Sequence, residues 1–144
     1  MVPMVKWGVP WVAGFIGLVL LDLVWIGIVA SGLYRSQIGH LLNMVNGQMV
    51  VKVPAAVATW VVIVTGIQLF VMPRVSATGP IPSFMLWGAL FGLITYAVYD
   101  LTNYAVMKNW PPTVTIVDII WGAFVCAMTS LCMGLAGCAV SRFL

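Results

Sequence analysis

Asp22, Asp100 and Asp118 are the only acidic side chains in this sequence, and each stands inside an apolar run. In a helix that crosses lipid, a carboxylate near the centre costs at least about 2.5 kcal/mol. Three acids placed this way need a reason. Their neighbours repeat: Asp22 is followed at i+3 by Trp25, Asp118 by Trp121, and Asp100 by Asn103. Residues at i and i+3 share a helix face. An indole N–H donates and a carboxylate accepts, so such a Trp can serve an Asp on another helix. Tyr96, Asp100 and Asn103 form a polar stripe, flanked by Tyr99 and Thr102 and extended by Thr95. No other apolar run carries so polar a face.

Three kinds of chemistry fit. The carboxylates could bind or relay protons or cations, a task for which enclosed acids are tuned by their surroundings. They could anchor a polar ligand, such as a lipid head group or a small amphiphile, in a pocket lined by Trp and Tyr rings. They could be structural, as hydrogen-bonded acids that fix helix register, paired with Arg35 or Lys108 near one membrane face. Signals for an enzyme are thin, and the sequence leans away from one. The single histidine, His40, lies in a loop, and no HExxH, GxSxG or Cys/His pairing is present. Asp100 and Asp118 as the acid pair of an intramembrane protease lack the expected flanking motifs. No metal-ligand spacing, nucleotide loop, haem spacing or iron–sulfur pattern occurs, and the sequence names no cofactor. Cys126, Cys132 and Cys138 are spaced by six, point in different directions on a helix, and read as small core residues.

The elements that must position these acids follow from composition. Of 144 residues, 63% are hydrophobic and 6% charged, against about 25% charged in an ordinary soluble domain. Nine charged side chains cannot cover a soluble globule, which excludes a water-soluble enzyme, a nucleic-acid binder and a disordered chain. The expected partner is the lipid bilayer. Four windows reach the roughly 20 apolar residues that a crossing needs: 11–33, 53–72, 84–107 and 113–138. Pro73, Gly79, Pro80 and Pro82 break the chain before the third, and Pro111 and Pro112 before the fourth. Trp7, Trp11 and Trp110 sit at the edges, where indole rings prefer the interface. The first run is too long for a cleaved signal, holds Asp22 and has no clear cleavage site after it, so it reads as a retained helix. The expected fold is all-α: a single integral membrane domain over residues 1–144, built as a four-helix transmembrane bundle.

Both termini then lie on one side, side A, and the first and third loops on side B. Three basic residues fall on each: Lys6, Arg74 and Arg142 against Arg35, Lys52 and Lys108. The positive-inside count is a tie and leaves orientation open. Asp22 falls near the middle of its window. Asp100 falls roughly 12 Å and Asp118 roughly 8 Å inside side B, at 1.5 Å per residue. In the first loop, Ile38, Leu41, Val45 and Met49 keep helical spacing, with Ser36, His40, Asn43 and Gly47 on another face. This suggests either a short amphipathic helix in the side B interface or an extension of a span. Ala123, Ala127, Ser130, Gly134, Gly137 and Ser141 form a small-residue seam on the fourth span, with Gly88 and Gly92 offered by the third. Such seams let helix backbones approach closely, either within the bundle or against a second copy or a partner membrane subunit.

The segments LDLVWIGIVASGLYRSQIGHLL and WGALFGLITYAVYDLTNYAVMKNWPPTVTIVDIIWG resemble a bacterial family of predicted four-helix membrane proteins catalogued only as a domain of unknown function. The most specific parts are Tyr99 to Asn103, the Asn-Trp-Pro turn, and Asp118 to Gly122. The resemblance spans nearly the whole chain and implies a bacterial cytoplasmic membrane. It assigns no activity, ligand or catalytic residue. Arg35 and His40 of the first loop also fit it, which makes them loop candidates beside the core set Asp22, Asp100, Asp118, Trp25, Trp121, Tyr96, Tyr99 and Asn103. Two function classes follow: a ligand-binding or proton- or cation-relaying membrane protein centred on the acids, or a non-catalytic accessory subunit that packs through the seam.

Overall fold

Four helices long and apolar enough to cross a membrane dominate the computed structural model, which describes residues 2–75 and 80–143, with side chains from residue 5. Gly79 of the expected breaker cluster lies outside the described residues. The spans are Val5–Val29, Val53–Arg74, Ile81–Val106 and Pro112–Phe143. Helix α1 (Val2–Val24) runs on through a π-helical turn, Trp25–Val29, and α2 (Ser31–Ile38) follows as a short helix. Helix α3 (Val53–Gly66) likewise ends in a π-helical turn, Ile67–Val71, and a tighter turn at Pro73. Helix α4 (Ile81–Val106) follows Pro80 and α5 (Pro112–Phe143) begins on Pro112. Proline suits a first helical turn because its missing N–H has no intrahelical role there.

The longest contact is the α4–α5 hairpin, and small residues set its closeness. A Cβ on Gly88 would stand 2.6 Å from the Ser130 Cβ, and one on Gly92 would run into the Gly122 carbonyl and the Cys126 Cβ. Phe84 fills the space over Gly134, and Tyr96 the space over Gly122. The middle of the expected seam, Ala127, Ser130 and Gly134, is therefore buried within the chain. On the other side of α5, Met133 and Thr129 meet Gly14 of α1. Helix α3 and the π-helical turn that continues it complete the bundle through Ile63, Val64, Ile67 and Val71, in one core with Leu18, Val125, Cys126 and Met133.

Two observations revise expectations. The first span starts nearer the terminus than residue 11, because Lys6 and Trp7 do not stop the helix, and it ends at Val29. Asp22 is thus not central but seven residues, roughly 10 Å, from the side B end. Asp100 is six residues from Val106 and Asp118 six from Pro112, roughly 9 Å each. All three acids share one layer. In the first loop the helix stops at Ile38, and Val45 and Met49 fall instead in a β-hairpin, β1 (Met44–Val45) with β2 (Gln48–Met49). Asn46 and Gly47 form its turn at φ 51° and 75°, the left-handed pair that a tight hairpin turn demands. Helix α2 lies against the start of α5, where Ile38, Trp110 and Val114 form a second small core. Trp110 is buried there and donates to Thr115 (3.1 Å), so it closes the α4–α5 turn from within.

Candidate functional site

Asp22 and Asp118, two of the three acids in this layer, are tied together by aromatic donors from four helices. Asp22 on α1 accepts from the Trp60 indole on α3 (2.8 Å) and from the Trp121 indole on α5 (3.2 Å). Trp121 stacks face to face on Trp25, with centroids 4.3 Å apart and planes within 3°. Trp25 donates to the Tyr34 hydroxyl on α2 (3.0 Å), and Tyr34 in turn donates to Asp118 on α5. One chain of contacts therefore runs Trp60, Asp22, Trp121, Trp25, Tyr34, Asp118. Each Trp at i+3 serves an acid on another helix, Trp121 directly and Trp25 through Tyr34. The π-helical turn after Val24 carries Trp25. Such a turn widens the helix by one residue and re-aims the side chains on it.

Tyr34 lies outside the spans. Its burial first, and then its hydrogen bond and charge interaction with Asp118, push its hydroxyl well above the usual tyrosine range. An anion beside a phenol makes loss of the phenol proton harder, so Tyr34 stays a donor.

Asp100 stands apart. It has no exposed surface, and neither of its oxygens has a hydrogen-bond partner; the Asn103 Nδ2 beside it is buried and unpartnered too. Asp100 and Asp118 lie at similar depth on the two helices of the α4–α5 hairpin. Tyr96 is half-buried against Gly122 and packs on the core. Tyr99 is 60% exposed and turns its ring to the edge of Trp110, so it does not join the layer. His40 is exposed in the turn after α2.

A cavity of about 630 Å³ opens between the end of α1, the hairpin and α3. Asp22 and Trp60 line it from the first and second spans, Ser31 and Arg35 come from α2, and Gln48 and Met49 come from the hairpin. Arg35 donates through Nε to the Ser31 carbonyl (3.2 Å), which holds its fork in place and leaves the terminal N–H groups unused by that bond. Among the described residues no group of three or more His, Cys or acidic side chains could hold a metal ion. Trp60 and Tyr34 are the residues that sequence reasoning passes over. Trp60 is the one Trp within a span that has no acid, and Tyr34 is paired with Arg35 in the segment that carries the family resemblance.

The chain matches the family described as "Predicted membrane protein (DUF2177)" over residues 7–135, and it belongs to that family. No curated protein and no solved structure matches it.

Proposed function

We propose that the protein binds a small ligand in the side B cavity, with Asp22 as the polar anchor. The observation that carries this reading is that Asp22 lines the cavity while its two oxygens accept from indoles alone. A carboxylate has about four acceptor positions, so two remain for a ligand. Its bonded partners include no base, so the ligand supplies the opposing charge: an ammonium or other cationic donor. Leu23, Ile26 and Val53 make the walls apolar, as a site for an amphiphile needs. The test is a titration of the full chain in nonionic detergent with octylammonium, read by tryptophan fluorescence. Saturable binding is expected, weakened at least about tenfold by Asp22→Asn and unchanged by Asp100→Asn. Ala56→Phe, which fills the cavity without touching the Asp22 bonds, should block it. Equal binding by wild type, Asp22→Asn and Ala56→Phe would reject the site.

A second reading is favoured by Asp100. A carboxyl with no exposure and no partner, next to the Asp118–Tyr34 pair, suits a proton held and passed within the layer. Proton uptake into vesicles that depends on Asp100 but not on Asp22 would support it over ligand binding. The accessory-subunit reading draws less support, because the central seam residues are already covered by α4.

A further inference from the structure

We infer that the ligand is a zwitterionic amphiphile with its cationic group next to its apolar tail and its anionic group at the far end, the first at Asp22 and the second at Arg35. This rests on the ligand-binding reading above and names the class of ligand. The cavity carries two opposite charges, one at each depth. Asp22 lies inside the first span, roughly 10 Å from its side B end. Arg35 lies beyond Val29, on the helix that packs against Trp110 and Val114 at the start of α5. A ligand with a single charge would meet only one of these groups. A zwitterion satisfies both.

Arg35 is suited to the anionic end. Its Nε is committed to Ser31, and its terminal N–H groups form a planar fork that matches a carboxylate, sulfonate or phosphate. Gln48 on the hairpin adds an amide donor to the cavity lining. The order of charges follows from depth. Leu23, beside Asp22 in the wall, is more than half exposed on the outer surface of its span. A tail leaves there, so the charge nearest the tail is the one that meets Asp22. That is the reverse of a phosphoethanolamine head group, in which phosphate is proximal and ammonium distal.

Two probes with the same tail and opposite charge order test this: N-dodecyl-β-alanine, with ammonium proximal, and dodecylphosphoethanolamine, with phosphate proximal. β-Alanine without a tail distinguishes a soluble zwitterion from an amphiphile, and dodecylammonium isolates the Asp22 contact. The full chain in nonionic detergent should bind N-dodecyl-β-alanine at least about tenfold more tightly than either dodecyl comparator, the difference of one charge-assisted contact. Arg35→Gln should abolish that preference and leave dodecylammonium binding unchanged. Asp22→Asn should weaken both ligands. If dodecylammonium binds in an Asp22-dependent way and N-dodecyl-β-alanine binds no better, the zwitterion inference falls and the cation site stands. If dodecylphosphoethanolamine binds best, the charge order is wrong. If β-alanine matches its dodecyl derivative, the tail plays no part and the amphiphile is rejected. If none of the probes binds, both readings fall.

Discussion

Asp22 and its two indole partners offer a measurement whose size and ranking follow from the geometry. Replacing Asp22 by Ala alone is uninformative. It removes two hydrogen bonds, but it also relieves the cost of holding a carboxylate within a span, and the two effects oppose each other. A double-mutant cycle cancels the burial cost and leaves the coupling. The cycles are Asp22→Ala with Trp60→Phe, and Asp22→Ala with Trp121→Phe; each Phe keeps a ring and removes the N–H. Hydrogen bonds to charged groups contribute about 1.5–3 kcal/mol in soluble proteins. Interhelical bonds in a membrane average about 0.6 and reach about 1.7, because the unfolded chain in lipid also finds partners. The Trp60 bond, at 2.8 Å, has the length of a charge-assisted contact. The Trp121 bond, at 3.2 Å, sits at the long end of ordinary N–H···O distances. The expected couplings are therefore about 1–1.7 kcal/mol for Trp60 and about 0.5 kcal/mol for Trp121. Unfolding by SDS in mixed micelles, followed by far-ultraviolet circular dichroism, reads both without relying on the fluorescence of the removed rings. A Trp60 coupling below about 0.3 kcal/mol, or a Trp121 coupling larger than that of Trp60, would refute the arrangement of Asp22 between two donors.

Two further predictions use the same unfolding assay. Gly92→Ala should cost about 1–3 kcal/mol by overpacking, since its Cβ would meet the Gly122 backbone, whereas Gly8→Ala, with nothing within 4 Å, should cost nothing measurable. Tyr34→Phe should cost about 1–2 kcal/mol, because it leaves the Trp25 N–H and the Asp118 oxygen unpaired, and it should also change the alkaline limb. The folded Tyr34 holds its proton above the usual range, while an unfolded tyrosine loses it near pH 10. Tyr34 thus contributes stability in full below about pH 10, and this is lost progressively as pH rises above it. The wild type should lose stability faster than Tyr34→Phe above about pH 10, and parallel curves would contradict the enclosed, proton-holding state of the Tyr34 hydroxyl.

The four spans and the acids within them were legible because both are local. Run length and charge position suffice for them, and the break at Pro111 and Pro112 agrees to within a residue with the start of α5. The i+3 tryptophans were legible as donors because helix geometry fixes the face they share with an Asp. The partner of each bond was not. Trp60 meets Asp22 across 38 residues and Tyr34 meets Asp118 across 84, and such pairings depend on how the helices are arranged, which periodicity does not carry. The hairpin had a local signal, Asn46-Gly47. The helical spacing of Ile38, Leu41, Val45 and Met49 competes with it, and two φ-positive residues in a row outweigh that spacing. The small-residue seam was legible as a packing face. Its use by α4 follows from Gly88 and Gly92, which lie opposite it at the matching spacing of four.

The three acids share a depth but not an environment, and that difference separates function from scaffolding. If the carboxylates served only to lock helices together, each should be saturated by donors inside the bundle. Asp118 comes closest to that, held by a phenol that is itself held by an indole. Asp100 is the opposite, fully enclosed and unbonded. Asp22 alone combines two fixed indole donors with a position on a cavity wall. The indoles orient its oxygens without neutralising its charge, because an indole N–H is neutral. A scaffolding acid has no need of a cavity beside it, and a ligand-binding acid needs its geometry fixed before the ligand arrives. Asp22 has its geometry fixed in this way, and Arg35 is the basic side chain among the residues that line the same cavity.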